Sequence, residues 1–177
     1  SWNVRLRVTS SISPFAVFTA SRAEKKVRDR LEELGVECFL PVQTVLRQWT
    51  YRKSRVVVPV IAGLVFVRVG RQEQVKVLQT KGVVAFLRLK GEAGAAVIPD
   101  KQMEDFRFLL DFSEEAVEMT NENIKAGDLV RVVKGSLRGM EGELIRHKGV
   151  TKVLVRIDML GCAMVNIPAS FVEKLNK

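Results

Sequence analysis

The sequence predicts an α+β fold: a mixed, mainly antiparallel sheet with flanking helices, followed by a small SH3-like β-barrel. Three observations predict it. Strand-like runs alternate with helical stripes from Phe15 to Phe112. Short strands separated by frequent turns fill the chain after Asn123. Between the two patterns lies "SEEAVEMTNE" (Ser113–Glu122), with four glutamates and no basic residue. The expected organisation is a first domain over 14–112, an acidic linker over 113–122 and a barrel over 123–177.

In the first domain "FAVFTA" (Phe15–Ala20) reads as a core strand. "SRAEKKVRDRLEELG" follows as a helix, with Ser21 and Glu24 spaced as a capping box and Gly35 as its stop. Ala23, Val27, Leu31 and Leu34 form its apolar stripe, and Arg22, Lys25, Arg28 and Asp29 its outer face. "RQWTYRKSR" (Arg47–Arg55), with four basic residues and two aromatics, reads as a hairpin tip between β-rich segments. The run Val56–Val67 reads as two buried strands; it is shorter than the ~20 residues of a membrane-spanning helix, and Pro59 and Gly63 interrupt it. A short helix ("RQEQVKVLQT"), a strand ("GVVAFLRL") and a helix opened by Pro99 and Asp100 complete the domain, the last with Met103, Phe106 and Leu110 on one face. Ala116, Val117 and Met119 could extend that helix into the linker. At the N-terminus Val4, Leu6 and Val8 alternate with polar residues, which reads equally as a short strand or a loose arm. The barrel strands are "DLVRVV", "GELIRH", "KVLVRID", "AMVNIP" and "FVEKL".

Composition narrows the partners. The net charge is +9 and the pI about 9.9, which favours a polyanion. Residues 1–112 carry 19 basic and 11 acidic side chains, and residues 123–177 carry 10 and 5, so both modules are basic and only the linker is not. Cys38 and Cys162 lie far apart in apolar contexts, as expected of reduced thiols in a cytoplasmic protein without a secretory leader. With one histidine, His147, the sequence offers no clustered metal-ligand set and no nucleophile–base pair. No catalytic residue, metal, cofactor, small-molecule substrate or membrane partner is therefore expected.

The glycine-rich stretch "VVKGSLRGMEGELIRH" (Val132–His147) raises the question of a phosphate loop. It lacks the GxxxxGK[ST] order, since Gly139 is followed by Met140 and Glu141, and it runs into an alternating strand instead of a helix. Its glycines read as turn residues between small-barrel strands.

Within "IKAGDLVRVVKGSLRGMEGELIRH", Gly127–Asp128 opening a strand and the turn through Gly135, Arg138, Gly139 and Gly142 resemble a KOW motif. The order "FAVFTASRAEKKVRDRLEELGVECFLPV", "RKSRVVVPVIAGLVFVRV", "KGVVAFLRL", "IPDKQMEDF" resembles the NusG N-terminal domain. Together the two cover nearly all of the chain from Phe15. "VVPVIAGLVFV" and "IPDKQMEDF" look most like the specialised NusG paralogs that act as antiterminators at capsular polysaccharide operons.

The resemblance implies a transcription elongation factor or antiterminator that binds the large-subunit clamp of RNA polymerase. Its docking residues would be Ile61, Leu64 and Phe86, with "VIAGLVFV" standing where the family typically has "FFPGYVFV". Core packing is the alternative for all three. The resemblance also implies contact with the non-template DNA strand, and with nascent RNA, through Arg22, Lys25, Arg71, Gln74 and Lys76, where a solvated helix face is the alternative. The hairpin reads either as a base-stacking element at Trp49 or Tyr51 or as a mobile tip. On the barrel the family's "FGR" turn, which contacts Rho or a ribosomal protein, is matched by Leu160, Gly161 and Cys162. Loss of the arginine leaves a ribosomal protein as the implied partner and puts Rho in doubt. The competing reading is a KOW-type RNA-binding protein of the ribosome or translation machinery.

Overall fold

The structure is a computed structural model that describes residues 12–175; the alternation at Val4, Leu6 and Val8 lies outside the described residues. In chain order the elements are β1 (Ser13–Thr19), α1 (Glu24–Glu33), β2 (Glu37–Phe39), β3 (Val42–Trp49), β4 (Arg52–Pro59), β5 (Leu64–Val69), α2 (Glu73–Leu78), β6 (Val83–Phe86) and α3 (Asp100–Phe112). They continue with β7 (Glu118–Thr120), β8 (Asp128–Val132), β9 (Glu141–His147), β10 (Val150–Ile157), β11 (Gly161–Asn166), a 3-10 turn (Ala169–Phe171) and β12 (Val172–Lys174). The α+β class holds, with antiparallel pairing throughout both larger sheets. The chain divides into two compact units, one of residues 12–42 and 61–100, the other of residues 43–60 and 101–175.

The first unit is a four-stranded sheet in the order β2-β5-β1-β6. Alternate residues of β1 (Phe15, Val17) and of β5 (Val65, Val67, Val69) face one side, where they share a core with Val27 and Leu31 of α1. Phe15 and Phe86 meet edge-to-face there, 5.7 Å between ring centroids. β5 is buried along its whole length, so the alternate set Leu64, Phe66 and Arg68 is inside too. Phe66 stacks on Phe39, and Arg68 pairs with Glu37.

Helix α1 corrects two expectations. Ser21 is not its cap: the chain turns at Ser21–Arg22, with Arg22 at φ +59°, and the helix starts three residues after Ser21 with no side-chain cap. Glu24 instead turns inward, its Oε1 accepting the Gly63 N–H at 2.8 Å. The apolar stripe is narrower than the spacing implies, because Leu34 is exposed at the helix end. Gly35 does stop the helix, at φ +76°, with its N–H on Glu32 O and the Val36 N–H on Leu31 O.

In the second unit β3 and β4 form a hairpin of their own, joined by Thr50–Tyr51. The expectation that Val56–Val67 supplies two buried strands therefore holds for β5 only; β4 pairs with β3 alone, and Val57 is exposed. α3 buries Met103 and Phe106 as expected, but Leu109 completes the buried face and Leu110 is only half-buried. The remaining strands form a six-stranded sheet, β12-β8-β9-β10-β11-β7, containing all five strands expected of the SH3-like module. Its sixth strand comes from the acidic stretch read as a linker. Val117 is buried, Glu118–Thr120 pair with Cys162–Met164, and Glu118 stays exposed along this edge. No helical extension forms there.

Candidate functional site

The apolar candidates lie at one end of the four-stranded sheet. The Thr19 N–H donates to Gly63 O at 2.9 Å and the Ala20 N–H to Gly82 O at 2.8 Å, so the turns before β5 and β6 flank the end of β1. Ile61, in the first of these turns, is half-buried. Leu64 and Phe86 are only 1% and 5% exposed, which corrects their assignment as docking residues: both belong to the interior. The exposed apolar side chains are others. Phe18, paired with Leu64 on one side and Ala85 on the other, is 39% exposed. A register shift between the Phe18–Ala85 and Thr19–Val83 pairs leaves Val84 without a partner, and it is 65% exposed. Sequence spacing could not separate these from core residues, since the bulge that turns Val84 outward has no sequence signature.

The cationic candidates do not form one patch. Arg22 and Lys25 are exposed at the N-terminal end of α1. Lys76 lies at the other end, where its Nζ donates to Leu34 O at 3.4 Å. Ten helical residues, about 15 Å, separate those two ends. Arg71 is exposed just before α2, whereas Gln74 is half-buried.

In the C-terminal sheet the glycine stretch is a turn whose amides are already used. The Arg138 N–H donates to Gly135 O, the Gly139 N–H to Val132 O and the Met140 N–H to Leu137 O, so these three donors face no anion. Gly135 and Gly139 take φ of +85° and +96°, and Leu137 between them is buried. Gly127 and Gly142 answer a different need, close backbone approach: a Cβ at Gly127 would collide with Leu144 O, and one at Gly142 would lie 2.9 Å from Leu154 O. Asp128 pairs with Lys174 at 3.3 Å, and Arg138 points into solvent.

Of the turn expected to face a partner, Cys162 is interior, 3% exposed, and burial pushes its thiol pKa up; this corrects its surface assignment. Leu160 and Gly161 are half-buried, and Asp158 and Met159 form the exposed tip. Gln102 of α3 grips that tip, its Oε1 accepting the Asp158 N–H at 2.8 Å and its Nε2 donating to Asp158 Oδ1 at 2.9 Å.

Among the described residues no cluster of three or more His, Cys, Asp or Glu side chains could hold a metal ion, and no helix is long and apolar enough to cross a membrane.

A family model described as transcription termination factor nusG matches residues 15–107, just over half of the 177-residue chain. No curated protein sequence matches the chain. Among solved structures the chain is similar to one of domain interaction in Thermotoga maritima NusG, at 22% identity and a TM-score of 0.50, over 94% of this chain and 98% of that one. That likeness is one of fold. An MjSpt4:Spt5 complex in its conformation B is similar at 19% identity and a TM-score of 0.28, over 93% of this chain and 97% of that chain.

Proposed function

This chain belongs to the NusG family, and from that premise we propose that it is a non-enzymatic, cytoplasmic transcription elongation factor that binds RNA polymerase and reduces pausing or termination at particular operons. The observation that carries the reading is the family match over residues 15–107, the segment that contains the sheet end bearing Phe18, Ile61 and Val84. Apolar side chains left in water on an otherwise covered sheet are what a protein partner would bury.

In this reading residues 14–112 engage the polymerase clamp through Phe18, Ile61 and Val84, and residues 123–177, with the edge strand Glu118–Thr120 paired to them, engage a further partner. The non-template strand is met by Arg22 and Lys25, with Arg71 as a separate phosphate contact; such contacts weaken as salt rises. The barrel partner, a ribosomal protein more readily than Rho, is met at the Asp158–Leu160 tip.

Co-purification with RNA polymerase tests the docking surface. Phe18→Glu with Val84→Glu abolishes it in protein that still unfolds cooperatively, although with some loss of stability because Phe18 is only 39% exposed. Leu64→Ala, at a core residue, lowers stability by about 2–4 kcal/mol. Retention of polymerase by the folded Phe18→Glu/Val84→Glu protein would overturn the surface.

A further inference from the structure

The β3–β4 hairpin is not used by the proposed polymerase contact, and its composition is unlike the rest of the chain. No acidic residue occurs between Glu37 and Glu73, and the hairpin presents Arg47, Arg52, Lys53 and Arg55, all exposed. Among the described residues none of these four cations is in an ion pair or a hydrogen bond. Elsewhere in the same unit Lys101, Arg131, Lys152, Arg156 and Lys174 are paired with carboxylates. Lys125, Lys134, Arg138, Arg146 and Lys148 are exposed and, among the described residues, in no ion pair, so it is the hairpin's freedom from acidic neighbours together with its aromatic rings that sets it apart.

Two aromatic rings accompany the cations. Tyr51, in the connecting turn, is 98% exposed, and Trp49 is 50% exposed. The Trp49 ring is held, because its Nε1 donates to Ser54 Oγ at 2.6 Å across the hairpin. That bond also fixes the faces. Side chains two apart on a strand share a face, so Arg47 lies with Trp49 on β3, and Arg52 lies with Ser54 on β4. Trp49 and Ser54 touch, so all four share one face: an indole tethered by a hydrogen bond, with two guanidinium groups on the same side of the hairpin.

We propose that this hairpin is a binding site for unpaired nucleic acid, with bases stacking on Trp49 and Tyr51 and the adjoining phosphates held by Arg47 and Arg52 on the same face. Lys53 and Arg55, on the opposite face, add only longer-range attraction. A flat ring beside exposed, unpaired cations matches a base with its phosphates, and stacking is tolerant of base identity. A duplex keeps its bases inside its own stack and cannot offer them to the rings. A membrane surface fits less well, since insertion needs one continuous apolar face, and Leu46 falls on the side opposite Trp49. The site needs no polymerase, so it stands or falls separately from the docking surface at Phe18 and Val84.

The test uses the full chain carrying Trp2→Phe, which leaves Trp49 as the only tryptophan. Oligo(dT) and oligo(U) of about 12 nucleotides, the corresponding duplex, and phosphatidylcholine–phosphatidylserine vesicles are titrated while indole fluorescence and oligonucleotide anisotropy are read. Both single strands should quench Trp49. Trp49→Ala with Tyr51→Ala should weaken binding about tenfold or more, with Trp49→Phe close to the parent. Arg47→Gln with Arg52→Gln should flatten the log–log salt slope by about 1.4. Equal affinity for duplex, quenching by vesicles without oligonucleotide binding, or unchanged affinity in the folded Trp49→Ala/Tyr51→Ala protein would each overturn the proposal. Thermal unfolding confirms that the variants are folded, which the exposure of both rings favours.

Discussion

Arg156 and Glu143 make a two-point ion pair between β10 and β9: Nε donates to Oε2 at 2.6 Å and Nη2 to Oε1 at 3.1 Å. The same Nη2 donates to Ile124 O at 2.7 Å, and the same Oε1 accepts the Gly127 N–H at 3.1 Å. One pair therefore ties the approach to β8 onto two other strands. The hydrogen bonds that Arg156 donates to Glu143 raise the Arg156 pKa against the opposing effect of burial. Glu143→Ala should lower the unfolding free energy by about 2 kcal/mol in urea denaturation, below the range for a fully buried pair because Arg156 is 34% exposed. Glu143→Gln, which keeps an acceptor for Gly127, should lower it by less. Equal losses would show that the hydrogen bond to Gly127 contributes nothing.

The Lys152–Glu118 pair should make the C-terminal sheet less stable in acid. Lys152 Nζ donates to Glu118 Oε2 at 2.8 Å, and this bond lowers the Glu118 pKa from its ordinary 4.5, overcoming its desolvation. A lowered folded-state pKa means the contribution is present above pH 4.5 and lost as pH falls through the folded value. Asp105 runs the other way. Burial raises its pKa above 3.8, so its contribution is present below that pH and lost as pH rises through the folded value. Melting temperatures recorded across the carboxylate range should lose part of their acid decline in Lys152→Met. In Asp105→Asn the loss of stability on the rising side should disappear.

Glu24 holds the turn before β5 from inside, since its carboxylate is buried and accepts the Gly63 N–H. Glu24→Ala leaves that amide without its acceptor and should destabilise the protein by about 1–3 kcal/mol. Because the turn carries Ile61, polymerase binding should weaken with it. Glu24→Gln, able to accept the same bond, should restore both. Rescue of stability without rescue of binding would separate the turn from the docking surface.

How much of this was legible in the sequence depends on what each feature rests on. The five C-terminal strands and the buried pair Val27 and Leu31 follow from periodicity, which is local, and the structure contains them. The split between Leu64 and Phe86 inside and Phe18 and Val84 outside is not local. All four are apolar strand residues, and their exposure depends on β5 being covered on both faces and on a bulge opposite Phe18. The acidic stretch misled because charge marks an exposed edge strand as readily as a connector. Alternation at Val117, Glu118 and Met119 was present, but too short to outweigh four glutamates.

Two glycines of the C-terminal turn should respond differently to the same change. Gly139 has open space around it but sits at φ +96°, so Gly139→Ala should lose about 1 kcal/mol from backbone strain. Gly127 has no room, since a Cβ would run into the Leu144 carbonyl, and Gly127→Ala should lose more, about 3 kcal/mol. Equal losses in urea denaturation would mean that the strand contact at Gly127 relaxes freely.

On this proposal the chain alters transcription by engaging RNA polymerase through the sheet end at Phe18, Ile61 and Val84. The most direct measurement is read-through at a terminator by purified polymerase, with the protein added as wild type or as Phe18→Glu/Val84→Glu. Wild type should increase read-through and shorten pauses, and the variant should do neither. Unchanged read-through and pausing with the wild type, or equal stimulation by the variant, would contradict it.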